Sequence, residues 1–132
     1  MIKEPLTFGL THLAIAVKDL RRTKAFYQTV FDMEVMYDEA DFVQLTTPGA
    51  RDVIVFEQKE TVNVKTGGIA HFGFRLKDPD TIGEVKARIL QSNGTIVQEG
   101  EFVPGSPYVF FKDPDGYDVE VWFELIDSSQ DK

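Results

Sequence analysis

An internal repeat constrains this chain more than any other feature of its sequence. Residues 11–17 read Thr-His-Leu-Ala-Ile-Ala-Val, and residues 70–76 read Ala-His-Phe-Gly-Phe-Arg-Leu. Each segment places a histidine before an alternation of bulky and small or polar residues, the period-two pattern of a half-buried strand. A helical pattern follows each segment, over 20–31 and 81–91, with Asp80 as the predicted N-cap of the second helix. The chain is therefore predicted to contain the same structural unit twice.

The later strands of the two halves also correspond. Residues 41–45 match 107–111, and residues 52–56 match 118–122, so each half reads β-α-β-β-β. We expect an α+β fold in which two βαβββ modules form a cupped mixed sheet with the helices on its outer face. The predicted organisation is a single domain over 1–132, made of module one (7–60), a linker (61–68) and module two (69–126).

Alternation assigns the residues of each predicted strand to one of two faces. One parity is almost entirely large and apolar and is expected to pack against the helices; it comprises Leu13, Ile15, Val17, Val53, Val55, Phe72, Phe74, Leu76, Val119, Val121 and Phe123. The other parity, expected to line the cup, comprises His12, Ala14, Ala16, Ile54, Phe56, His71, Gly73, Arg75, Glu120 and Trp122. This second face is mixed, and its small residues leave room for a ligand.

Composition and charge exclude several classes of protein. The chain has 132 residues and no cysteine, which excludes disulfides, thiolate metal sites and a thiol nucleophile. Its formal net charge of −8 argues against a nucleic-acid surface, which needs a basic patch. No apolar run approaches the roughly 18 residues of a membrane span, and the first residues lack the apolar core of a signal peptide. We therefore expect a cytoplasmic protein that binds neither nucleic acid nor membrane.

The two histidines of the chain occupy matching positions in the repeat, and Glu120 shares their predicted face. Two imidazoles and one carboxylate suit Fe, Mn, Ni or Zn and leave coordination positions open for water or substrate. His12, His71 and Glu120 are therefore predicted to bind a divalent metal. The alternative for each residue alone is a solvated side chain on the exposed face of a sheet. The coincidence of parity, repeat position and scarcity of histidine favours the metal site.

The repeat resembles the vicinal oxygen chelate superfamily, which includes glyoxalase I, extradiol dioxygenases, fosfomycin-resistance proteins and bleomycin-resistance proteins. The resemblance covers about residues 7–126 and rests on four segments: 11–17, 25–27, 70–74 and 113–120. It implies paired βαβββ modules around a divalent metal that the substrate chelates through two neighbouring oxygens. In that resemblance His12, His71 and Glu120 match the ligand positions one by one. It also implies a homodimer, because modules of this superfamily pair within or between chains.

Departures from the subfamily patterns leave the reaction open. Similarity to glyoxalase I would imply a fourth protein ligand where this chain has Ile54, and Glu57 has the wrong predicted parity, so three ligands are expected. Similarity to the extradiol dioxygenases would imply a tyrosine where Phe110 stands and a further histidine upstream, which this chain lacks. Tyr108 or Glu101 is the candidate replacement as acid or base. The fosfomycin transferases carry a threonine and basic residues that are also missing here.

Several more side chains of the predicted cupped face are candidates to bind substrate. Arg75 is either an anchor for a carboxylate or phosphate, or the ion-pair partner of an acid such as Glu124. The aromatic rings of this face are candidates for an apolar pocket, or for filling a gap between modules or a dimer seam. The predicted substrate-binding residues are Arg75, Trp122, Phe56, Gln44 and Phe110; the predicted catalytic residues are Glu120, Tyr108 and Glu101.

The main functional hypothesis is a divalent-metal-dependent enzyme that acts on a small oxygen-chelating substrate. Lyase, isomerase and ring-cleaving dioxygenase reactions all fit the first step, in which the metal acts as a Lewis acid or orients O₂. The alternative is a non-catalytic protein of the bleomycin-resistance type that sequesters a small molecule. A third hypothesis is an interaction module whose cup is filled by its own side chains.

Overall fold

The computed structural model of this chain describes residues 4–62 and 69–125. The chain divides into two compact units, Met1–Val62 and Asn63–Lys132. Most of the predicted linker (residues 63–68) lies outside the described residues, as does residue 126 at the end of predicted module two. Within the described ranges, no helix has both the length and the apolar character needed to cross a membrane.

The first unit is a four-stranded mixed sheet with one helix. β1 (His12–Val17) leads into α1 (Leu20–Phe31), and β2 (Glu34–Asp38), β3 (Phe42–Thr46) and β4 (Val53–Gln58) follow. The strand order is β1-β4-β3-β2. β1 and β4 are parallel, whereas the other neighbouring strands are antiparallel.

The second unit repeats this arrangement. Its elements are β5 (Phe72–Arg75), a 3₁₀ turn (Pro79–Thr81), α2 (Ile82–Gln91), β6 (Thr95–Glu101), β7 (Pro107–Lys112) and β8 (Asp118–Trp122). The strand order β5-β8-β7-β6 is that of the first unit: β5 and β8 are parallel, and the other neighbouring strands are antiparallel. The predicted α+β fold of two βαβββ modules is therefore confirmed for each unit.

The edge strands β2 and β6 carry matching irregularities. The pairing of β2 with β3 shifts between Val35 and Tyr37, and the pairing of β6 with β7 shifts between Ile96 and Gln98. A bulge of this kind bends one strand and breaks the period-two pattern on which strand prediction depends. This break explains why the sequence indicated a strand after each helix without locating it.

Each helical segment begins beside an aspartate that follows the first strand of its unit. Asp19 is the N-cap of α1, and its Oδ1 accepts a hydrogen bond of 3.2 Å from the backbone N–H of Arg22. Oδ1 of Asp78 accepts a bond of 2.9 Å from the N–H of Asp80 and opens the 3₁₀ turn. The turn delays α2 until Ile82, so the prediction of Asp80 as its N-cap was wrong.

The core of each unit lies between the sheet and its helix. In the first unit the most deeply buried side chains are Val17, Phe26, Tyr27, Val30, Val43, Leu45 and Phe56. In the second unit they are Ile89, Val109, Phe111, Val119 and Val121. Full burial of such a side chain stabilises the fold by about 1.5–3 kcal/mol. This packing fixes which face of each sheet points away from the helix.

The orientation of β4 corrects one part of the predicted face assignment. Ile54 and Phe56 are 7% and 0% exposed, and the Phe56 ring centroid lies 4.8 Å from that of Tyr27 on α1. These two residues therefore face the helix, where the sequence predicted Val53 and Val55. Phe56 is a core residue, and its prediction as a substrate-binding residue was wrong.

The cause of this error is the length of the loop before β4. Residues 47–52, six in number, join β3 to β4, whereas the five residues 113–117 join β7 to β8. A fixed numbering offset between the two halves therefore fails after this loop. Because residues 53–56 are all apolar, alternation along β4 could not reveal the slip of one residue.

The first-unit counterpart of Glu120 is Val55 rather than Ile54. Gln44 pairs with Val55 across β3 and β4, just as Phe110 pairs with Glu120 across β7 and β8. A valine side chain has no donor atom. This position therefore offers no fourth metal ligand, as was also expected of Ile54.

Glu57 lies on the same face of the first sheet as His12, contrary to its predicted parity. It pairs with Ala16 across the parallel strands β1 and β4, and paired residues of parallel strands point to the same face. Oε1 of Glu57 lies 3.8 Å from Nζ of Lys59, and about half of the carboxylate side chain is exposed.

Candidate functional site

His71 and Glu120 lie side by side on the face of the second sheet that points away from α2. We call this surface the distal face; it carries His71, Gly73, Arg75, Tyr108, Phe110, Glu120 and Trp122. Nε2 of His71 is 3.5 Å from Oε1 of Glu120. The Glu120 side chain is 13% exposed and the His71 side chain is 41% exposed. Two of the three predicted metal ligands are therefore adjacent and reachable from solvent.

The strand register explains this pair. β5 and β8 are parallel, with Gly73 opposite Glu120. His71 lies two residues before Gly73, and the period-two alternation of a strand puts both on the same face. On the other side of Glu120, Phe110 supplies a ring that meets the His71 imidazole edge-on, with centroids 5.0 Å apart. The aromatic edge limits the movement of the imidazole away from the carboxylate.

The spacing of the two donor atoms suits a shared cation. With metal–ligand distances of about 2.0–2.2 Å and a tetrahedral angle, two donors stand about 3.4 Å apart. The observed separation of the His71 and Glu120 donors is 3.5 Å. Imidazole nitrogen and carboxylate oxygen are ordinary ligands of Fe, Mn, Ni and Zn. Within residues 4–62 and 69–125, no group of three or more His, Cys, Asp or Glu side chains forms a metal-holding cluster.

His12, the third predicted ligand, opens β1 of the first unit. It pairs with Val53 and, by alternation with the buried Val17, its exposed side chain points away from α1. Its position corresponds to that of His71, because each histidine stands two residues before a small residue that pairs with the last strand of its unit. The role of His12 as a ligand stays a prediction.

Gln44 is also on the His12 face of the first sheet, as predicted from its strand position. It pairs with Val55 on β4, and Val55 in turn pairs with Ala14 on β1. Nε2 of Gln44 lies 3.5 Å from Sδ of Met36. A thioether sulfur is a weak acceptor, so this contact leaves the amide able to take a stronger partner.

Gly73 makes room for the indole of Trp122 beside the Glu120 carboxylate. A Cβ atom at Gly73 would lie 2.9 Å from Cζ3 of Trp122 and 3.0 Å from the backbone oxygen of Glu120. The indole therefore crosses the strand at the glycine and forms a wall next to Glu120. Trp122 is the single tryptophan of the chain.

Arg75 forms an ion pair with Glu124. Nη1 of Arg75 lies 3.7 Å from Oε2 of Glu124, and their side chains are 43% and 52% exposed. Of the two roles expected for Arg75, the structure shows the ion pair. An exposed pair of this kind contributes about 0–1 kcal/mol to stability, so breaking the contact between Arg75 and Glu124 costs little free energy.

Tyr108 lies on the distal face and pairs with Trp122 across β7 and β8. Its hydroxyl accepts a hydrogen bond of 3.0 Å from Nε2 of Gln98. Its ring stacks on the ring of Phe102, with centroids 4.3 Å apart and an interplanar angle of 16°. Because the hydroxyl accepts from Gln98, its own proton is available to a further partner.

Glu101 does not share this face. It pairs with Pro107 at the end of β6, one residue out of phase with Gly100, which pairs with Tyr108. Oε2 of Glu101 accepts a hydrogen bond of 2.6 Å from the backbone N–H of Gly105. The prediction of Glu101 as an acid or base of this site was therefore wrong. Its carboxylate instead accepts the hydrogen bond that orders the β6–β7 loop.

A pocket of about 430 Å³ adjoins Glu120 within the second unit. It is lined by Phe102, Val103, Ser106, Glu120, Trp122, Phe123, Glu124 and Leu125. Phe102, Val103 and Leu125 are 55%, 53% and 56% exposed, so large apolar side chains reach solvent here. Exposed apolar patches and pockets of a few hundred Å³ are typical of ligand-binding sites.

Sequence reasoning missed Phe102, Val103 and Leu125. The first two lie in the loop between β6 and β7, and the third lies beyond β8, where period-two alternation assigns no face. One signal was available, because Phe102 and Val103 are large apolar residues next to Pro104 and Gly105 in a predicted loop. Exposed apolar side chains that lie together on a surface often mark a binding site.

The family model described as the Glyoxalase/Bleomycin resistance protein/Dioxygenase superfamily matches residues 9–121. The chain belongs to this superfamily. Two relatives match this chain over nearly the same number of residues. An uncharacterized protein of Pseudomonas aeruginosa is 30% identical over 120 residues, which cover 84% of this chain and 85% of that protein. Catechol-2,3-dioxygenase of Bacillus subtilis is 26% identical over 119 residues, and the chain spans 41% of its length.

Solved structures of superfamily proteins share the fold of this chain. One is a mutant of the fosfomycin resistance protein FosX from Listeria monocytogenes, complexed with Mn(II) and 1S,2S-dihydroxypropylphosphonic acid (TM-score 0.73, 24% identity, 88% of this chain and 90% of that chain). Another is lactoylglutathione lyase from Agrobacterium tumefaciens (TM-score 0.69, 22% identity, 90% of this chain and 96% of that chain). At these identities the likeness shows the fold alone.

Proposed function

We propose that this superfamily member is a divalent-metal-dependent enzyme that acts on a small oxygen-chelating substrate. The observation that carries the proposal is the separation of 3.5 Å between Nε2 of His71 and Oε1 of Glu120 on the distal face. These donor types and this spacing suit a tetrahedral site for a first-row metal. The Mn(II) named in the FosX complex supports a metal of this class.

His12 is the third ligand in this proposal. It occupies in β1 the strand position that His71 occupies next to β5, and it points away from the helix of its own unit. A divalent cation held by two imidazoles and one carboxylate supplies Lewis acidity to chelated substrate oxygens and keeps positions open for them.

The remaining distal-face residues orient and shield the ligands. The Phe110 ring, whose centroid lies 5.0 Å from that of the His71 ring, packs perpendicular to the imidazole and keeps it turned toward Glu120. The Trp122 indole packs against Gly73 and lines the neighbouring pocket together with Glu120. Oη of Tyr108, whose position is fixed by Gln98, is the atom to which we assign proton transfer.

Several finer points are part of the same proposal. The reaction is of lyase, isomerase or ring-cleaving dioxygenase type, and the metal is Fe, Mn, Ni or Zn. The dioxygenase type draws on a relative of which the chain spans 41%. The homodimer and the cytoplasmic location expected from the sequence also belong here.

A second candidate function is sequestration of a small molecule without catalysis. The pocket beside Glu120 favours it, because most of its lining is apolar and needs no metal to bind an apolar ligand. The two candidates differ in whether the His71–Glu120 pair holds a cation.

Metal analysis of the purified protein tests the main proposal. We expect about one divalent ion per chain after loading with Mn(II), measured by mass spectrometry of the metal and by isothermal titration. His71→Ala, Glu120→Gln and His12→Ala should each weaken Mn(II) binding by at least about tenfold. Even the loss of a residue that only hydrogen-bonds a metal ligand lowers metal affinity by about that factor.

Glu99→Gln is the matched control, because Oε1 of Glu99 lies 2.7 Å from Nζ of Lys86 on the other face of the second sheet. Its Mn(II) affinity should equal that of the wild type. Wild-type protein without metal above background would contradict the proposal, and so would full affinity in His71→Ala or Glu120→Gln.

A further inference from the structure

The lining of the pocket beside Glu120 indicates which part of a substrate it accepts. Five of its eight lining residues are apolar or aromatic, one is a serine and two are glutamates; none of these eight is Lys, Arg or His. Apolar lining gains free energy by removing a ligand's apolar surface from water. The same lining gives an anion no cationic partner.

Phe102 forms a rigid wall of this pocket. Its ring stacks on Tyr108, and Tyr108 in turn lies over Gly100, where a Cβ atom would be only 3.3 Å from the Tyr108 ring. Phe102 is nevertheless 55% exposed. An aromatic ring that is backed on one face and accessible on the other binds flat apolar groups at low entropic cost.

The β6–β7 loop holds Phe102 and Val103 in place through three hydrogen bonds. The N–H of Phe102 donates to the carbonyl of Ser106 at 3.1 Å, and the N–H of Ser106 donates to the carbonyl of Val103 at 2.9 Å. The third is the bond from the N–H of Gly105 to the Glu101 carboxylate. Gly105 has φ of +90°, a conformation that glycine adopts without strain.

In the metal-free protein, the charges around the pocket disfavour an anionic ligand. Glu120 is largely buried at 13% exposure, so its field is poorly screened by water. Glu124 adds a second carboxylate to the lining. Arg75 does not line the pocket, and its ion pair with Glu124 offsets part of the charge of that carboxylate, so Glu120 makes the main contribution.

We propose that this pocket binds an uncharged apolar group of the substrate, an aromatic ring or a branched alkyl chain, and that it discriminates against anionic groups while Glu120 holds no cation. Glu101 is the positioning residue that holds Phe102 and its loop in the binding conformation. This inference rests on the proposed function in one respect: it takes the bound group to be part of the substrate of the proposed enzyme.

Benzamide and benzoate are suitable probes, because they have nearly the same shape and differ in charge. Trp122, as the single tryptophan, reports binding in the pocket through its fluorescence. In full-length, metal-free protein we expect benzamide to change the emission saturably. We expect benzoate to bind at least about tenfold more weakly, because it meets the poorly screened Glu120 carboxylate and the lining contains no Lys, Arg or His.

Two valines of nearly equal exposure provide a matched pair of variants. Val103 lines the pocket and is 53% exposed, whereas Val97 lies on β6 outside the lining and is 55% exposed. Val103→Ala and Phe102→Ala should weaken benzamide binding several-fold, and Val97→Ala should leave it unchanged. Glu101→Ala should also weaken binding, and Glu101→Gln, which keeps an acceptor oxygen for Gly105, should restore it.

The proposal is overturned if benzoate binds as tightly as benzamide, if benzamide leaves the Trp122 emission unchanged, or if Val97→Ala and Val103→Ala behave alike. Because the titration uses metal-free protein, its outcome is separate from the metal analysis. Metal binding without benzamide binding would refute the pocket assignment alone. Benzamide binding without metal binding would support the pocket and refute the metal-dependent enzyme.

Discussion

Val55 occupies in the first sheet the position that Glu120 occupies in the second, because Val55 pairs with Gln44 and Glu120 pairs with Phe110 on the neighbouring antiparallel strand. The duplicated scaffold therefore carries a duplicated histidine but a single carboxylate at this position. The chemistry of the two units differs although their topology is the same. The unit that contains Glu120 is the one in which two candidate ligands meet.

Gly73→Ala should disturb the wall beside Glu120. The new methyl group would stand 2.9 Å from the Trp122 ring, so the indole must move. We expect a loss of about 1–3 kcal/mol in the free energy of unfolding, as for other overpacked sites, and a shift in Trp122 emission. Urea unfolding followed by fluorescence measures both.

Gly83→Ala on α2 is the control for that substitution, because nothing lies within 4 Å of the position that its new methyl group would take. It should raise the free energy of unfolding by up to about 1 kcal/mol through helix propensity. Equal effects of the two substitutions would contradict the close approach of Trp122 to Gly73.

Phe56→Ala should destabilise the protein strongly, because the ring is fully buried against Tyr27. The expected loss is about 3–5 kcal/mol, typical of a large-to-small change in a core. Leu10→Ala, at a residue that is 96% exposed, should stay within about 0.5 kcal/mol. Chemical denaturation measures both changes in the free energy of unfolding. A loss of less than about 1 kcal/mol in Phe56→Ala would contradict the core position of Phe56 and favour its predicted place on the ligand-facing surface.

Asp113→Ala should destabilise the β7–β8 turn. Asp113 is 4% exposed, and its Oδ1 accepts bonds of 3.0 Å from the N–H groups of Asp115 and Tyr117. Loss of a charged acceptor for two donors is expected to cost about 2–3 kcal/mol. Asp118→Ala removes an exposed pair with Lys112 and should cost less than about 1 kcal/mol. Thermal unfolding that ranks the two variants equally would contradict this assignment.

Mn(II) should stabilise the folded protein if the proposed metal site is correct. A ligand at one hundred times its Kd raises the free energy of unfolding by about 2.7 kcal/mol when it binds only the folded state. The rise in Tm should be reversed by a chelator and absent in His71→Ala. Stabilisation of equal size in that variant would place the cation elsewhere.

Strands with a clean alternation were predictable from sequence, and strands without it were not. In β1 and β5 bulky residues alternate with small or polar ones, so the faces of His12 and His71 followed directly. In β4 both parities are apolar, and only the packing of Phe56 under α1 sets its orientation. The face of β4 was predicted wrongly because the β3–β4 loop is one residue longer than the β7–β8 loop. The sequence of β4 itself gives no sign of that extra residue.

In the candidate site, too, the residues on regular strands were predictable from the sequence, and those after a bulge or in a loop were not. The distal-face positions of Glu120, Trp122 and Arg75 follow from the period of β5 and β8. The position of Glu101 required knowledge of the bulge in β6, which changes the face of every residue after it. Phe102 and Val103 lie in a loop whose conformation depends on three specific hydrogen bonds, and no periodic pattern encodes these.

The paired bulges at Val35/Tyr37 and Ile96/Gln98 have a consequence for the protein in concentrated solution. Each bulge lies in the strand at the outer margin of its sheet, where unsatisfied backbone groups invite a strand from another molecule to add on. A kinked, strongly twisted margin is a poor template for such addition. Both units therefore share a feature that disfavours the addition of a foreign strand at this margin of the sheet.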